Sequence, residues 1–413
     1  MKTLGIDIGT TGISAALLES EGRRILRTLS LPNSSAVKGE KSFESLQDSE
    51  KIYGTVKELI GAFEGEFDAV GVTGQMHGIL YIGGSGEALS PLYTWQDMRS
   101  AQPYEGGKTY AGALGVYPGY GAATHFYNKV NSLVPDGARY ICTIGDHIAM
   151  RLCGAREPLM HITNAASLGC FDIKTNKWSS SDPLLPRVTE KFEFIGKTDR
   201  GIPVSVCIGD NQASFIGSVS DENSVLINIG TGSQISYLTS GETAPGAELR
   251  PFDGKKYLAA GCALCGGRAF ADFEKFCREI ANTAGAQIDS FYPFLDKILS
   301  ENHKTALEAD CRFSGTRDDP GASGGYTGLT EDNFTLRDFA FATVKGMISE
   351  LRSMYGGAPN PSIVISGNGA RKNPAVAGFV KELFGSLPTD APHDEEAAAG
   401  AAVIAFLCAT ACD

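Results

Sequence analysis

The chain has 413 residues, 42% hydrophobic and 20% charged. This is the make-up of an ordinary globular protein with room for two or three cores. Its 36 Lys and Arg stand against 48 Asp and Glu, a formal net charge of −12, and no Lys/Arg-rich run stands out, which argues against nucleic acid and anionic membrane surfaces as partners. An acidic chain that handles phosphates must therefore use local devices, such as backbone amides or a metal ion.

In chain order, Leu4, Ile6 and Ile8 alternate with polar or small residues, and Gly9-Thr10-Thr11-Gly12 turns the chain. Ile13 to Leu18 forms a second apolar run, and Glu21-Gly22 punctuates before Ile25 and Leu26, so the opening predicts strand, turn, strand, turn, strand. No signal peptide is expected, because only Lys2 is basic and Asp7 breaks the apolar run. Ile52, Val56, Leu59, Ile60 and Phe63 have helical spacing, and Ala69 to Thr73 reads as a short buried strand before Gly74-Gln75. From Thr94 to about Arg200 the periodicity weakens, as in an insertion carrying substrate contacts. Val204, Val206 and Ile208 predict a strand ending in a loop at Asp210, with a helix starting near Ala213.

The opening then recurs. Val225 to Ile229, Gly230-Thr231-Gly232 and Gln234 to Leu238 repeat the first hairpin, with Asn228 where the first copy has Asp7. Leu336, Phe339, Thr343, Val344, Met347, Ile348 and Leu351 predict a second helix, and Ile363 to Ser366 a strand before Gly367-Asn368-Gly369. Repetition in this order implies two α/β lobes, residues 1–218 and 219–413, facing each other across a cleft. The alanine-rich AAAGAAVIAFLCATAC near the C-terminus is too short to span a bilayer; with Asp394, Glu395 and Glu396 ahead of it, it predicts a buried helix. The ten cysteines are scattered, and free thiols in a reducing cytosol are expected. Cys262 and Cys265 lack a second pair, so buried small residues are expected there rather than zinc ligands.

The repeated turn carries the chemistry. Glycine at a tight turn uncovers backbone N–H groups for phosphate oxygens, and threonine hydroxyls add donors. Thr10 and Thr11 on one lobe and Gly230 and Thr231 on the other could grip one nucleotide's phosphates. Asp7 can hold Mg²⁺ directly or through water, whereas a second acid at position 228 would repel phosphate. Gly266, Gly267, Gly367, Asn368 and Gly369 form loops where adenosine could lie against bare backbone, and Arg371 and Asn373 open the next helix. Gln75, Met76 and His77 emerge at the C-terminal end of a strand, where α/β sites form. Trp95, Asp97 and Arg99 combine a flat aromatic face with polar groups, as a sugar site does; the alternative is Trp95 in the core and Asp97 with Arg99 as a surface ion pair. Asp210 is either a helix N-cap or a general base.

The motifs DIGTT, Gly74-Gln75-Met76-His77-Gly78, Thr94-Trp95-Gln96-Asp97-Met98-Arg99, Gly209-Asp210-Asn211-Gln212-Ala213, GTGS, Gly367-Asn368-Gly369-Ala370-Arg371 and the closing Glu-Ala-Ala-Ala-Gly-Ala-Ala together resemble those of the FGGY carbohydrate kinases, nearly throughout the chain. The pieces TWQDMRS, GYGAATHFY, Pro158-Leu159-Met160 and Asn164 to Ser167 look most like the family's sedoheptulose-phosphorylating branch. The resemblance implies two actin-like ATPase (ribonuclease H-like) lobes with a central cleft. It also implies ATP and Mg²⁺ as cofactors, Asp210 as general base and second metal ligand, and Gln75, Met76, His77, Asn164 and Asn211 at the sugar. The implied reaction converts sedoheptulose to its 7-phosphate in the cytoplasm, by a monomer or homodimer without nucleic-acid or membrane partners. Xylulose or another ketose or polyol is the alternative acceptor; a non-catalytic sugar sensor and an actin-like ATPase are the rival classes. The chain is shorter than such kinases tend to be, carries Met98 where that branch often has glycine, and has a Gly-rich stretch, expected to be flexible, at Pro320 to Thr330.

Overall fold

The computed structural model describes residues 1–19, 21, 23–316, 319, 321–373 and 375–411. The expected turn residue Gly22, and Pro320 at the head of the Gly-rich stretch, lie outside them. The chain forms two compact units. The first is Met1–Ser218 with Arg250–Lys255 and His393–Asp413; the second is Val219–Leu249 with Lys256–Pro392. The last segment, expected with residues 219–413 in the second lobe, thus belongs to the first unit.

The first unit is built on the strands β1 (Lys2–Ile8), β2 (Gly12–Glu19) and β3 (Arg24–Pro32), the helix α1 (Ser49–Ala62) and the strand β4 (Ala69–Gly74). The insertion contributes the helices α2 (Gly121–Val130), α3 (Ile144–Leu152) and α4 (Ile162–Ser167), which its weak periodicity did not reveal. The strands β5 (Phe194–Lys197), β6 (Pro203–Ser205) and β7 (Ile208–Gly209) return to the sheet, and α5 (Asp210–Ser218) leaves it. The sheet order is β5-β6-β4-β1-β2-β3, with β7 also paired to β4. β1 is antiparallel to β2 and parallel to β4.

The second unit repeats this plan with β8 (Ser224–Ile229), β9 (Ser233–Thr239), β10 (Ala247–Pro251) and β11 (Tyr257–Ala263), then the helices α6 (Gly266–Thr283) and α7 (Leu336–Ser353), the strand β12 (Ser362–Ser366), the helix α8 (Ala375–Phe384) and the strand β13 (Thr389–Asp390). Its order is β10-β11-β9-β8-β12-β13, with β8 antiparallel to β9 and parallel to β12. The Gly-rich stretch is partly ordered: Gly325–Thr327 pairs with Glu308–Asp310.

Alternation explains the hairpins. In β1, Leu4, Ile6 and Ile8 are fully buried and pack with Ile13, Leu17, Ile52, Val56 and Leu59 in the first core. Helix α1 starts because the Asp48 side chain accepts from the N–H groups of Glu50 and Lys51.

The final helix α9 (Glu396–Thr410) packs on α5, β1, β4 and β2. Small residues let it approach backbone to backbone. A Cβ on Gly5 would overlap the Ala398 carbonyl oxygen, and one on Gly71 the Ala401 oxygen. On Gly217 it would overlap the Glu396 oxygen, and on Gly400 the Ala213 oxygen. Because α9 is apolar all round and buried on most of its surface, its sequence shows burial but not which unit it joins.

Helix α3 is closed by a capping box between Thr143 and Asp146. The Asp146 carboxylate also accepts from Asn164 Nδ2 at 3.1 Å, and burial pushes its acid up to about 7.

Two predictions follow from this packing. Gly400→Ala costs about 1–3 kcal/mol or more by overpacking, whereas Gly54→Ala on α1, where an added Cβ meets nothing within 4 Å, gains about 0.5–1 kcal/mol; urea unfolding of both variants checks this. For Asp146, the folded state keeps a proton that the unfolded chain releases above its ordinary value of 3.8. Its stabilising contribution is therefore complete below that value and is lost as pH rises towards about 7, by up to about 1.4 kcal/mol per pH unit. Asp146→Asn should flatten the stability–pH curve over that window by this slope.

Candidate active site

In the first unit three strand ends meet. Ile8 of β1 pairs with Gly74 of β4, and Gly74 with Gly209 of β7. The segments that leave these parallel strands are the Gly9–Gly12 turn, Gln75–His77 and Asp210, so the fold gathers them at one edge of the sheet.

Asp7 precedes the turn, in register with Ser14 on β2 and Thr73 on β4. Its Oδ1 is buried and has no hydrogen-bond partner. Burial, then the negative charges of Asp210 and Glu395, push its acid up to about 7. Asp210 is the first residue of α5. Burial raises its acid too, opposed by the Asn211 side chain and by the charge of Arg250. Asn211 Nδ2 donates to Asp210 Oδ1 at 3.2 Å, and Arg250 Nη1 donates to Asn211 Oδ1. Two carboxyls are thus placed where both hold their protons more tightly than in water unless a cation compensates their charge.

The carbonyls of the turn are tied back into the protein. Asn33 Nδ2 donates to Gly9 O at 2.8 Å, Gln47 Nε2 to Thr10 O at 2.8 Å and Asn33 N to Thr11 O at 2.9 Å. Peptide planarity then turns the N–H groups of Thr10, Thr11 and Gly12 the opposite way. Trp95, 43% exposed, donates its Nε1 to Thr10 Oγ1 at 3.0 Å.

Gln75 and Met76 are buried. Gln75 Nε2 donates to Gln47 Oε1 at 2.8 Å, and its own Oε1 has no partner. Met76 lies against the chain just before Asp210: a Cβ on Gly209 would come within 2.8 Å of its Sδ. His77 sits in the left-handed region at φ +70°, a strain that surrounding contacts must hold. Its backbone N donates to Ser167 Oγ at 3.1 Å, its Nδ1–H to the Ser167 carbonyl at 2.7 Å, and its ring stacks on Tyr120 with centroids 4.3 Å apart.

Asp97 and Arg99 are not the surface ion pair that was the alternative to a sugar contact. They are 0% and 2% exposed, joined by Arg99 Nε to Asp97 Oδ1 at 2.7 Å. Ser45 N donates to Asp97 Oδ2 at 3.0 Å, Arg99 Nη1 to Asn128 Oδ1 at 2.7 Å, and the guanidinium lies over the Tyr93 ring. The pair braces the loop that carries Trp95. Asn164 is also buried, its Nδ2 shared between Asp146 Oδ1 and the Cys207 carbonyl, and its Oδ1 has no partner.

In the second unit a cavity of about 550 Å³ is lined by Gly230, Thr231, Gly267, Asn368, Gly369 and Asn373, with Arg268, Phe270, Ala271, Tyr292, Asp296 and Met347 completing it. The N-terminus of α6 docks on the second turn: Gly267 N donates to Gly230 O and Arg268 N to Thr231 O, both at 3.0 Å. Gly266 and Gly367 back the cavity rather than line it. A Cβ on Gly266 would overlap Ser233 Oγ, and one on Gly367, at φ +87°, would come within 2.5 Å of Ile229 O. Arg371, on the short helix Asn368–Lys372, is exposed and does not line the cavity. Phe270 and Tyr292, with ring centroids 5.9 Å apart, and Met347 give an apolar floor with polar groups at the rim, suited to a flat, polar-edged ring such as a nucleobase. Asn228, the counterpart of Asp7, donates Nδ2 to Ser366 Oγ at 2.8 Å.

Sequence reasoning missed Gln47, which sits on a two-residue strand with no periodicity, and Glu395, which was read only as a helix-terminal acid. It also missed Phe270 and Tyr292; the Ala269, Phe270, Phe273, Cys277 spacing directly after Gly266-Gly267 was the available signal for α6. Among the described residues no group of three or more His, Cys, Asp or Glu is placed to hold a metal ion, and no helix is long and apolar enough to cross a membrane.

Sedoheptulokinase of Mus musculus is 27% identical to this chain, covering 97% of it and 96% of its own length. Xylulose kinase of Staphylococcus xylosus is 24% identical, covering 98% and 90%. The solved structure of xylulose kinase from Rhodospirillum rubrum superposes with a TM-score of 0.80 at 19% identity, over 98% of this chain and 90% of its own. Each unit accordingly has the actin-like, ribonuclease H-like α/β fold of those kinases. The model of the FGGY family of carbohydrate kinases, N-terminal domain, matches residues 2–217. The chain belongs to the FGGY family of carbohydrate kinases and is an ATP-dependent sugar kinase.

Proposed function

We propose that the acceptor is a ketose, D-sedoheptulose, phosphorylated to sedoheptulose 7-phosphate, with D-xylulose as the second candidate. Full-length similarity to a sedoheptulokinase and the TWQDMRS and NAAS pieces support the first, and similarity to xylulose kinases keeps the second. The observation that carries the mechanism is the pair of strained carboxyls, Asp7 and Asp210, at the junction of three strand ends.

Asp210 is the group we assign to take the proton from the attacking hydroxyl, and burial gives it the raised proton affinity a general base needs. Gln75, Met76, His77, Trp95 and Asn211 are assigned to the sugar. Asp97, Arg99 and Asn164, expected there as ligands, are proposed instead to brace the loops that carry those contacts. The amides of the Thr10/Thr11 turn, facing away from their tethered carbonyls, suit phosphate oxygens. In the second unit Gly230, Thr231, Gly267, Asn368, Gly369 and Asn373 are assigned to the nucleotide, with Phe270 and Tyr292 beneath the base.

Asp7 and Asp210 fit a hard divalent cation such as Mg²⁺, because an orphaned buried oxygen and two coupled carboxyls offer the donors such an ion takes beside phosphate. Bound there, Mg²⁺ would neutralise charge on the transferring phosphoryl group. We place the enzyme in a reducing cytosol, in keeping with free thiols at the nine described cysteines.

A coupled ADP assay across ketoses and polyols should give the highest kcat/KM with D-sedoheptulose. D-xylulose in first place would make the second reading the correct one, and full-rate ATP hydrolysis without sugar would overturn both. Asp210→Asn should lower kcat by about 10²- to 10⁴-fold while sugar binding stays near wild type by calorimetry. In the second unit an added Cβ on Gly267 would overlap Gly230 O. Gly267→Val should therefore raise the KM for ATP by about tenfold or more and leave calorimetric sugar affinity unchanged, since a misplacement of about 1 Å in a positioned site can cost up to about 10²-fold.

A further inference from the structure

Gln47 has so far served only to tether the Thr10 carbonyl, yet it is 5% exposed and bonded at both ends of its amide. Its Nε2 donates to the backbone carbonyl of Thr10, and its Oε1 accepts from Gln75 Nε2. A backbone carbonyl only accepts, so the Gln47 atom facing Thr10 must be the NH₂ group. The atom facing Gln75 must then be the oxygen, and the Gln75 atom facing Gln47 must be its NH₂. Polarity is thereby transmitted from a fixed backbone acceptor through two side-chain amides.

The last group of this relay is Gln75 Oε1, buried and without a partner. An acceptor left this way is costly, whereas a donor that reaches it recovers that cost. Reversing the Gln75 amide would set its oxygen against the Gln47 oxygen, so the relay resists that flip. Gln75 directly follows β4, beside the chain that leads into Asp210, and the other end of the relay, Thr10, is also the anchor of Trp95.

We propose that Gln47 is a positioning and specificity-determining residue: it locks the Gln75 amide so that the first unit presents an acceptor, and only an acceptor, to one hydroxyl of the sugar. The sugar must then donate a hydrogen at that hydroxyl. A group that only accepts, such as fluorine, is worse there than hydrogen. This deepens the assignment of Gln75 to the sugar and rests on it.

The test uses the full chain, and whichever of D-sedoheptulose and D-xylulose gives the higher kcat/KM, with its monodeoxy and monofluorodeoxy analogues. At one hydroxyl of wild type, the deoxy analogue should lose roughly three- to tenfold in kcat/KM, the worth of one hydrogen bond, and the fluoro analogue more. In Gln47→Met the amide of Gln75 is free to turn, so sugar KM should rise several-fold with a smaller change in kcat, and the fluoro analogue should become as good as the deoxy one or better. Gln47→Glu supplies a second readout that a purely structural residue would not give. Protonated, the acid donates to Thr10 O and accepts from Gln75 as glutamine does; ionised, it faces the Thr10 carbonyl with a negative oxygen. Its sugar KM should match wild type at low pH and climb above it as pH rises. An unchanged fluoro-to-deoxy ratio in Gln47→Met, or a sugar KM in Gln47→Glu that tracks wild type at every pH, overturns the inference. Gln75→Leu separates the two levels. If it leaves sugar KM unchanged, the assignment of Gln75 to the sugar fails. If it raises sugar KM while the Gln47 variants behave as wild type, only the relay fails.

Discussion

The first unit depends on one steric constraint: its last helix must touch the backbone of strands made at the start of the chain. Gly5 on β1, Gly71 on β4 and Gly217 on α5 each remove the atom that would keep α9 away, and Gly400 on α9 does the same for α5. Helix and sheet normally stand apart by the thickness of two side-chain layers; here the layer is missing. Dispersion contacts between main chains replace it, and they are highly sensitive to distance. Because β1 and α5 carry Asp7 and Asp210, the seat that fixes these two elements also fixes the separation of the two carboxyls. Glu395, just before α9, adds its charge to the same site.

That arrangement makes the carboxyls costly. Each is buried enough to hold its proton more tightly than in water, and one oxygen of Asp7 is left unpaired. Natural proteins tolerate such groups at sites where a ligand supplies the missing partner. The second unit shows the contrast. At the equivalent position Asn228 is neutral and finds Ser366 as a partner, so the same turn is built there without a stored electrostatic cost. One scaffold, used twice, thus carries the strain in one copy only.

Much of this was legible in the sequence because the relevant signals were local. The paired hairpins announce themselves by alternation and by Gly-Thr turns, and α1 and α7 by their spacing. The helix α3 was not legible because it is buried all round. Asp146 and His147 lie inside with Ile144, Ile148 and Met150, so no stripe of one character appears. The partner of α9 was hidden for a related reason: its alanines mark it as buried, but the information on where it docks lies in glycines of distant strands. Asp97 and Arg99 were legible as a pair, not as a buried one. That distinction depends on Ser45, Asn128 and Tyr93, which come together only in the fold. Gln47 gave no signal, since its meaning lies in two hydrogen bonds across separate loops.

The position of α9 also bears on how the molecule is made. A ribosome delivers β1, β4 and α5 well before it delivers the helix that covers them, and every residue of the second unit is synthesised in between. Domains tend to fold as they emerge, so the second unit completes first, while the face of β1 that carries Gly5, opposite Leu4 and Ile6, waits uncovered. The helix that closes that face arrives only with the last stretch of translation.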